Sequence, residues 1–381
     1  LLKILHTADW QIGKPYGQFD PDDALFLSEA RIQCVENIAR LATEHRVDAV
    51  IVAGDIFDAQ TVADKTVRRL FNVLKAFDGP WIVIPGNHDA ALVESVWTQA
   101  QRMDTIPDHV FVCTQPTPLH FEDLQLSILP APLTQRHTYQ DLTAWFDHAN
   151  TPANFYRVGV AHGSVTGLLD SDIDAANPID PQRAEKAHLS YLALGDWHGM
   201  MQINSHTWYS GTPEQDRFRN NESGQVLLVE LASPTAIPVV TPLRSGQFQW
   251  IAHAFTLHVE SDIDTLLHWL EGLDARAVVD LDLSGSVTIE AYQRIAQAIG
   301  QAQGLARAFD VSMHELRIMP SEQDIAQLAA DGYVGAVIQE LRGEQEAAST
   351  APPNDEHPRT ARDALVILAD LLEQGQHKEH H

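Results

Sequence analysis

Short apolar runs rich in β-branched residues alternate with amphipathic stretches over the first two-thirds of the chain. LLKILHT at 1–7 predicts a strand, 28–45 a helix, VDAVIVAGD at 47–55 a buried strand, 61–77 a helix and WIVIPGNHD at 81–89 another strand. Such βαβαβ order predicts a largely parallel sheet covered by helices, with ligands at the carboxyl ends of its strands. Strand-like runs continue at LQLSILP (124–130), YRVGVAHG (156–163), YLALGDWHG (191–199), TWYSGTP (207–213), QVLLVEL (225–231) and AIPVVTPL (236–243). The later ones suggest antiparallel pairing, and a second sheet packed against the first accounts for them.

The rhythm changes at RSGQFQW (244–250). Beyond it HAFTLHVE, ARAVVDLDLSG and ARAFDVSMHELRIM read as strands separated by the helices DIDTLLHWLEGL and TIEAYQRIAQAIGQA, with further helices after Ser321. The chain is therefore expected to divide into a larger α/β domain at 1–245, a smaller one at 246–342, a Pro-, Ala- and acid-rich linker at 343–360, and an amphipathic helix and tail at 361–381. That last helix packs either at home or on a partner. The sequence shows no internal repeat, heptad array or Walker-type glycine loop.

Composition narrows the classes. The 381 residues are 44% hydrophobic, ordinary for a globular chain with a sizeable core. A net charge of −27 argues against broad adhesion to nucleic acid or anionic membrane, so a polyanionic substrate must meet local positive charge, which bound metal supplies. No apolar stretch approaches the roughly 18–20 residues of a membrane span, and the opening lacks a signal-peptide pattern, so the cytoplasm is the expected location. Cys34 and Cys113 read as reduced core residues. The closing HKEHH is set aside from metal-site reasoning.

Candidate chemistry sits in five turns: Asp9 and Gln11 in ADWQIG, Asp55 and Asp58 in AGDIFD, Asn87 and His88 in PGNHD, His162 in VAHGS, and Asp196 and His198 in LGDWHG. A single Asp or Asn after a strand is common turn chemistry, and a lone His is usually a satisfied polar group. Five such turns after successive strands would converge on one rim, bringing ligands for two metal ions within reach of one another.

In this order DWQ, GDIFD, GNHD, AH and GDWH resemble the calcineurin-like metallophosphoesterase superfamily, over roughly residues 1–243. The runs ILHTADW, YLALGDWHG and WYSGTPE are most similar to its SbcD-type DNA-repair nucleases, and among these to bacterial stand-alone manganese-dependent DNA endonucleases. The resemblance implies an α/β fold with a β-sandwich flanked by helices (αββα), followed by a capping domain. It implies one metal held by Asp9, Gln11, Asp55 and His198, and another by Asp55, Asn87, His162 and Asp196. Such relatives carry His at both 11 and 196. Trading imidazole for oxygen donors favours Mn²⁺ or Mg²⁺ over Zn²⁺, and the two remaining histidines favour Mn²⁺. Gln11 is neutral whereas Asp196 adds charge, so the Gln11-side metal is expected to bind more weakly.

The implied chemistry is two-metal hydrolysis of a phosphate ester, with Asn87 orienting the phosphate and His88 acting as general acid or stabilising transition-state charge. Asp58 either orients His88 or serves the loop locally. Arg217 and Arg219 are candidate DNA-backbone contacts or solvated surface residues. Trp10, Trp197, Trp208 and Tyr209 either stack bases of a single strand or pack internally. The leading expectation is a Mn²⁺-dependent single-strand DNA endonuclease of repair, acting on single-stranded DNA, with a repair helicase or SMC-like ATPase as candidate partner. The alternatives are a hydrolase of small phosphodiesters or phosphomonoesters, and a degenerate, noncatalytic repair adaptor.

Overall fold

The computed structural model of the protein describes residues 1–167, 176–219, 221–319 and 332–347, with Thr360 and Ala364. Two compact units divide between Phe248 and Gln249. In the first, β1 (Leu2–Thr7), β2 (Ala49–Ala53), β3 (Trp81–Ile84) and β4 (Val110–Val112) form a parallel array. Their connections are α1 (Pro21–Glu44), α2 (Asp64–Leu74) and α3 (Val96–Arg102). Helix α1 begins earlier than its periodicity suggests, because Pro21 fits the first turn and Asp22 and Asp23 suit the positive end of the helix dipole.

A second six-stranded sheet contains β5 (Leu119–Phe121), β6 (Leu126–Ala131), β7 (Tyr156–His162), β10 (Tyr191–Gly195), β11 (Met201–Asn204) and β12 (Thr207–Tyr209). Its centre is parallel and its edges antiparallel. Between them, β8 (Ser164–Val165) and β9 (Pro178–Ile179) make a separate short pair. Contrary to expectation, the late strands β13 (Gln225–Leu231) and β14 (Val239–Arg244) complete the first sheet, β13 lying antiparallel to β1. The reason is burial: VLLV in β13 is apolar on both faces and needs cover on both.

The sheets pack face to face through Ile4, Ile51, Ile82 and Leu227 of one and Ile128, Val158, Val160 and Ala193 of the other. Helices α1 to α3 cover the outer face of the first sheet. The outer face of the second carries a thinner layer, including Phe146 in a 3₁₀ turn and α4 (Arg183–Lys186). This is the expected helix-flanked double sheet.

The second unit is a parallel sheet of β15 (Gln249–Leu257), β16 (Ala277–Val287) and β17 (Ala308–Ile318), connected by α5 (Glu260–Glu271) and α6 (Ile289–Leu305) around their own apolar core. A helix at Gly332–Ala347 takes in residues 343–347, expected as linker; Glu, Gln and Ala there are good helix formers. The rest of that stretch, and nearly all of 361–381, lies outside the described residues. Among the described residues no helix is long and apolar enough to cross a membrane.

Candidate metal centre

The loops after β1 and β2 run side by side, extending the pairing of their strands. Asp9 N–H donates to Gly54 O (3.0 Å), Gln11 N–H to Asp55 O (2.9 Å), and Ile12 N–H to Ile56 O (2.8 Å). Asp9, Gln11 and Asp55 adopt positive φ of 54°, 45° and 53°, and Asp196 reaches 101°. Four candidate ligands thus hold backbone angles that L-residues seldom adopt, at a cost on the order of 1–3 kcal/mol each, which the surrounding hydrogen bonds must offset. Gly86 serves close approach: a Cβ there would lie 2.2 Å from Asp55 Oδ1 and 2.4 Å from Asp55 N.

The registry of β7 with β10 sets His162 beside Gly195, at the mouth of the GDWH loop. His162 Nδ1–H donates to Ala53 O (2.8 Å), which leaves the Nε2 lone pair for a ligand. That nitrogen lies 3.1 Å from Asn87 Oδ1, 3.5 Å from Asp55 Oδ1 and 3.7 Å from Asp196 Oδ1. Neutral imidazole and three oxygens are all acceptors, so the arrangement needs a positive centre among them. Buried Asp9, Asp55 and His162 offer ligand atoms within 4.8 Å of one another. In the metal-free protein a proton serves: burial alone lowers the His162 pKa, but Asp55, Asp9 and Asp196 overcome it and hold it at about 9. Burial pushes Asp9 up to about 6, against the downward pull of His198 and His162.

On the other side, Gln11 Nε2 is 3.2 Å from His198 Nε2, to which it donates, and Gln11 Oε1 accepts from Lys14 Nζ (3.1 Å). His198 Nδ1 lies 3.3 Å from Asp216 Oδ2 and 2.9 Å from Arg217 Nη2. Burial alone would raise Asp216, yet the hydrogen bond and charge of His198, then Arg31 and Lys14, hold it far below the usual carboxylate range.

The remaining expected residues are distributed as follows. His88 N–H donates to Asp55 Oδ1 (2.9 Å), fixing the carboxylate. His88 Nδ1–H donates to the main-chain carbonyl of Asp58 (2.8 Å), so the contact to His88 comes from backbone and not from the Asp58 carboxylate. The Arg219 guanidinium lies 5.1 Å from the ring centroid of half-buried Trp197. Trp10 and Tyr209 are buried and therefore closed to base stacking. Trp10 Nε1–H donates to Thr7 Oγ1, and Tyr209 O–H to Gly163 O (2.6 Å). Half-buried Trp208 packs against the core between the sheets. Both thiols are free; Cys34 is buried and Cys113 half-buried.

Sequence reading missed three supports. Arg31, 1% exposed on α1, donates from Nε to Trp10 O (2.6 Å), from Nη1 to Tyr16 Oη (3.0 Å) and Glu214 O (3.3 Å), and from Nη2 to Asp9 O (3.1 Å) and Thr212 Oγ1 (2.9 Å). Asp89 accepts from the N–H groups of Gly86, Ile56 and Phe57 (2.7, 2.9 and 3.1 Å), tying two motif loops together. Lys14 is the third. An arginine among apolar positions of an amphipathic helix, and a second acid within GNHD, were the available signals.

Residues 2–188 match the family described as Calcineurin-like phosphoesterase. The chain is 26% identical to DNA double-strand break repair protein Mre11 of Methanosarcina acetivorans, over 90% of this chain and 55% of that protein. It is 22% identical to the SbcD component of the SbcCD nuclease of Bacillus subtilis, over 78% of this chain and 83% of that one. The like-named component from Staphylococcus epidermidis is 26% identical over 64% of this chain and 71% of its own length. The chain thus spans little more than half the length of the archaeal relative.

Proposed function

We propose, from the premise that this chain carries a calcineurin-like metallophosphoesterase domain, that it is a metal-dependent DNA nuclease, acting with Mn²⁺ as an endonuclease on single strands. The observation that carries the reading is the cluster of acceptors around His162 Nε2, with Asn87, Asp55 and Asp196 all facing it. Three oxygens with one imidazole suit Mn²⁺ better than Zn²⁺. Residues that would hold metal on this side are Asp9, Asp55, Asn87, His162 and Asp196. When bound, a divalent cation supplies electrophilic charge to phosphoryl oxygens and makes water nucleophilic near neutral pH.

The chain's own groups do the rest. Asn87 would orient the phosphate, and the His88 amide N–H keeps the Asp55 carboxylate in place to hold metal. His88 holds its Nδ1 proton against the Asp58 carbonyl, which leaves Nε2 facing the site; as the imidazolium, His88 would give its Nε2 proton to the leaving oxygen and return to the Nδ1–H form. Arg217 and Arg219 offer positive charge in an otherwise acidic molecule of net charge −27, favouring local contact with backbone phosphates over adhesion along a duplex. The names of the curated relatives, a double-strand break repair protein and components of a nuclease, support DNA as substrate and repair as context. A repair ATPase or helicase is the candidate partner, and the C-terminal segment would either recruit it or pack on its own domain.

Chelator-treated protein is given circular and end-labelled linear single-stranded DNA with Mn²⁺, Mg²⁺ or Zn²⁺, beside an Asp55→Ala control. Mn²⁺-dependent cutting of the circle, absent in the control, is expected. Hydrolysis of aryl phosphodiesters or monoesters without DNA cleavage would replace this reading with a small-substrate one, and no hydrolysis at all with a noncatalytic one.

A further inference from the structure

The two halves of the site differ in what already fills them. Around His162 the ligand atoms face one another as acceptors, and among the described residues no Lys or Arg pairs with Asp55 or Asp196, which take N–H and O–H donors from His88 and Ser164. At Gln11 the opposite holds. Lys14 N–H donates to Gln11 O (3.1 Å) in a turn that Gly13 permits at φ 94°. This turn folds the lysine back over the preceding residues, so that its ammonium meets Gln11 Oε1 at 3.1 Å and Asp216 Oδ2 at 2.5 Å.

We infer that the Lys14 ammonium takes the place of a second metal ion on the Gln11 side, so that the folded protein holds one divalent cation, on the side of Asn87, His162 and Asp196. Three observations converge. The one neutral oxygen that Gln11 could give a metal is already accepting from a cation. The Nε2 lone pair of His198 faces the Gln11 amide N–H, so both imidazole and amide are committed to each other. Asp216, with its side chain only 1% exposed, anchors the ammonium, whose own side chain is 21% exposed. A divalent ion bound at Gln11 would sit against a fixed like charge in a poorly solvated corner. An imidazole at 11 would offer one strong donor to metal; a glutamine with a lysine three residues on offers a hydrogen-bonded charge instead. The site then keeps positive charge beside a bound phosphate with one metal fewer. This rests on the reading of the site as a metal-dependent phosphoesterase, but its test does not depend on turnover.

Mn²⁺ is titrated into chelator-treated protein without DNA, with bound metal counted by elemental analysis and its environment read by electron paramagnetic resonance. We expect one Mn²⁺ per wild-type chain, with the signal of an isolated ion. The pair Gln11→His with Lys14→Met is expected to take two, with a spin-coupled signal. Two ions of similar affinity in the wild type overturn the inference, as does a folded double variant that still holds one. Should the double variant not fold, Lys14→Gln alone is expected to tighten second-ion binding by about tenfold or more once the like charge is gone; unchanged second-ion affinity is equally fatal. A protein that binds one Mn²⁺ yet cuts no DNA would remove the nuclease reading and leave this one standing.

Discussion

Replacing Arg31 by Met tests whether the metal rim is held from behind. The two side chains have comparable reach, so little cavity is created. Thr212 Oγ1 lies within reach of both Asp9 O (2.9 Å) and Glu214 O (3.0 Å), but its one proton can satisfy a single carbonyl at a time. Losing the guanidinium therefore orphans Trp10 O and one of those two carbonyls, and removes the donor to Tyr16. At roughly 1–3 kcal/mol per buried unsatisfied group, partly offset by no longer burying a charge, the expected loss is about 2–5 kcal/mol. That is a large share of the roughly 5–15 kcal/mol that keeps a typical domain folded. Urea unfolding of metal-free protein measures it, and Arg31→Lys, which restores a single donor group, should recover only part. Mn²⁺ affinity should also fall, because Asp9 loses the contact that helps hold its main chain at φ 54°. An Arg31→Met protein within about 0.5 kcal/mol of wild type, the scatter of neutral surface changes, would refute the reasoning.

Three further outcomes follow from the same geometry. His6 bridges the sheets through Tyr191 Oη and Leu194 O, and burial lowers its pKa from 6.5 to about 3. Its depressed folded value means that the unfolded chain binds the extra proton, so its contribution is present above pH 6.5 and lost as pH falls toward 3. The slope is about 1.4 kcal/mol per pH unit, and pH–stability curves of wild type and His6→Gln that run parallel from pH 6 to 4 would show the linkage wrong. Because the proton on His162 leaves near pH 9, Mn²⁺ must displace it at neutral pH. Affinity should rise about tenfold per pH unit between 6.5 and 8.5, and calorimetry in buffers of different ionisation enthalpy should detect the released proton; a flat profile argues against His162 as a ligand. Gly86→Ala would push a methyl into Asp55, and we expect loss of metal binding with a destabilisation of about 1–3 kcal/mol; a variant that binds Mn²⁺ like wild type would show that the loops can part without harm.

The sequence by itself determined the opening βαβαβ order and the longer strands after it, because alternating apolar runs and amphipathic stretches are local signals; the short elements β4, β5, β8, β9, β11, α3 and α4 carry too few residues for such a pattern and were not read from it. It also disclosed the carriers of chemistry, since Asp, Asn and His next to glycine after successive strands are local signals. It left open which sheet each late strand joins: β13 reads as one more strand until its two apolar faces must be covered beside β1. Nor did it reveal Arg31, Asp89 or Lys14, each of which has at least one partner in a distant loop. Arg31 meets Thr212, 181 positions away, and Lys14 meets Asp216, 202 positions away. Local propensity carries no information about such pairs. Only the packed sheets bring the loops close enough for burial to demand a donor for every carbonyl and a positive charge for every cluster of acceptors. The chain names the ligands, and the tertiary structure decides which of them converge as acceptors around a place for a cation and which are already held by a lysine.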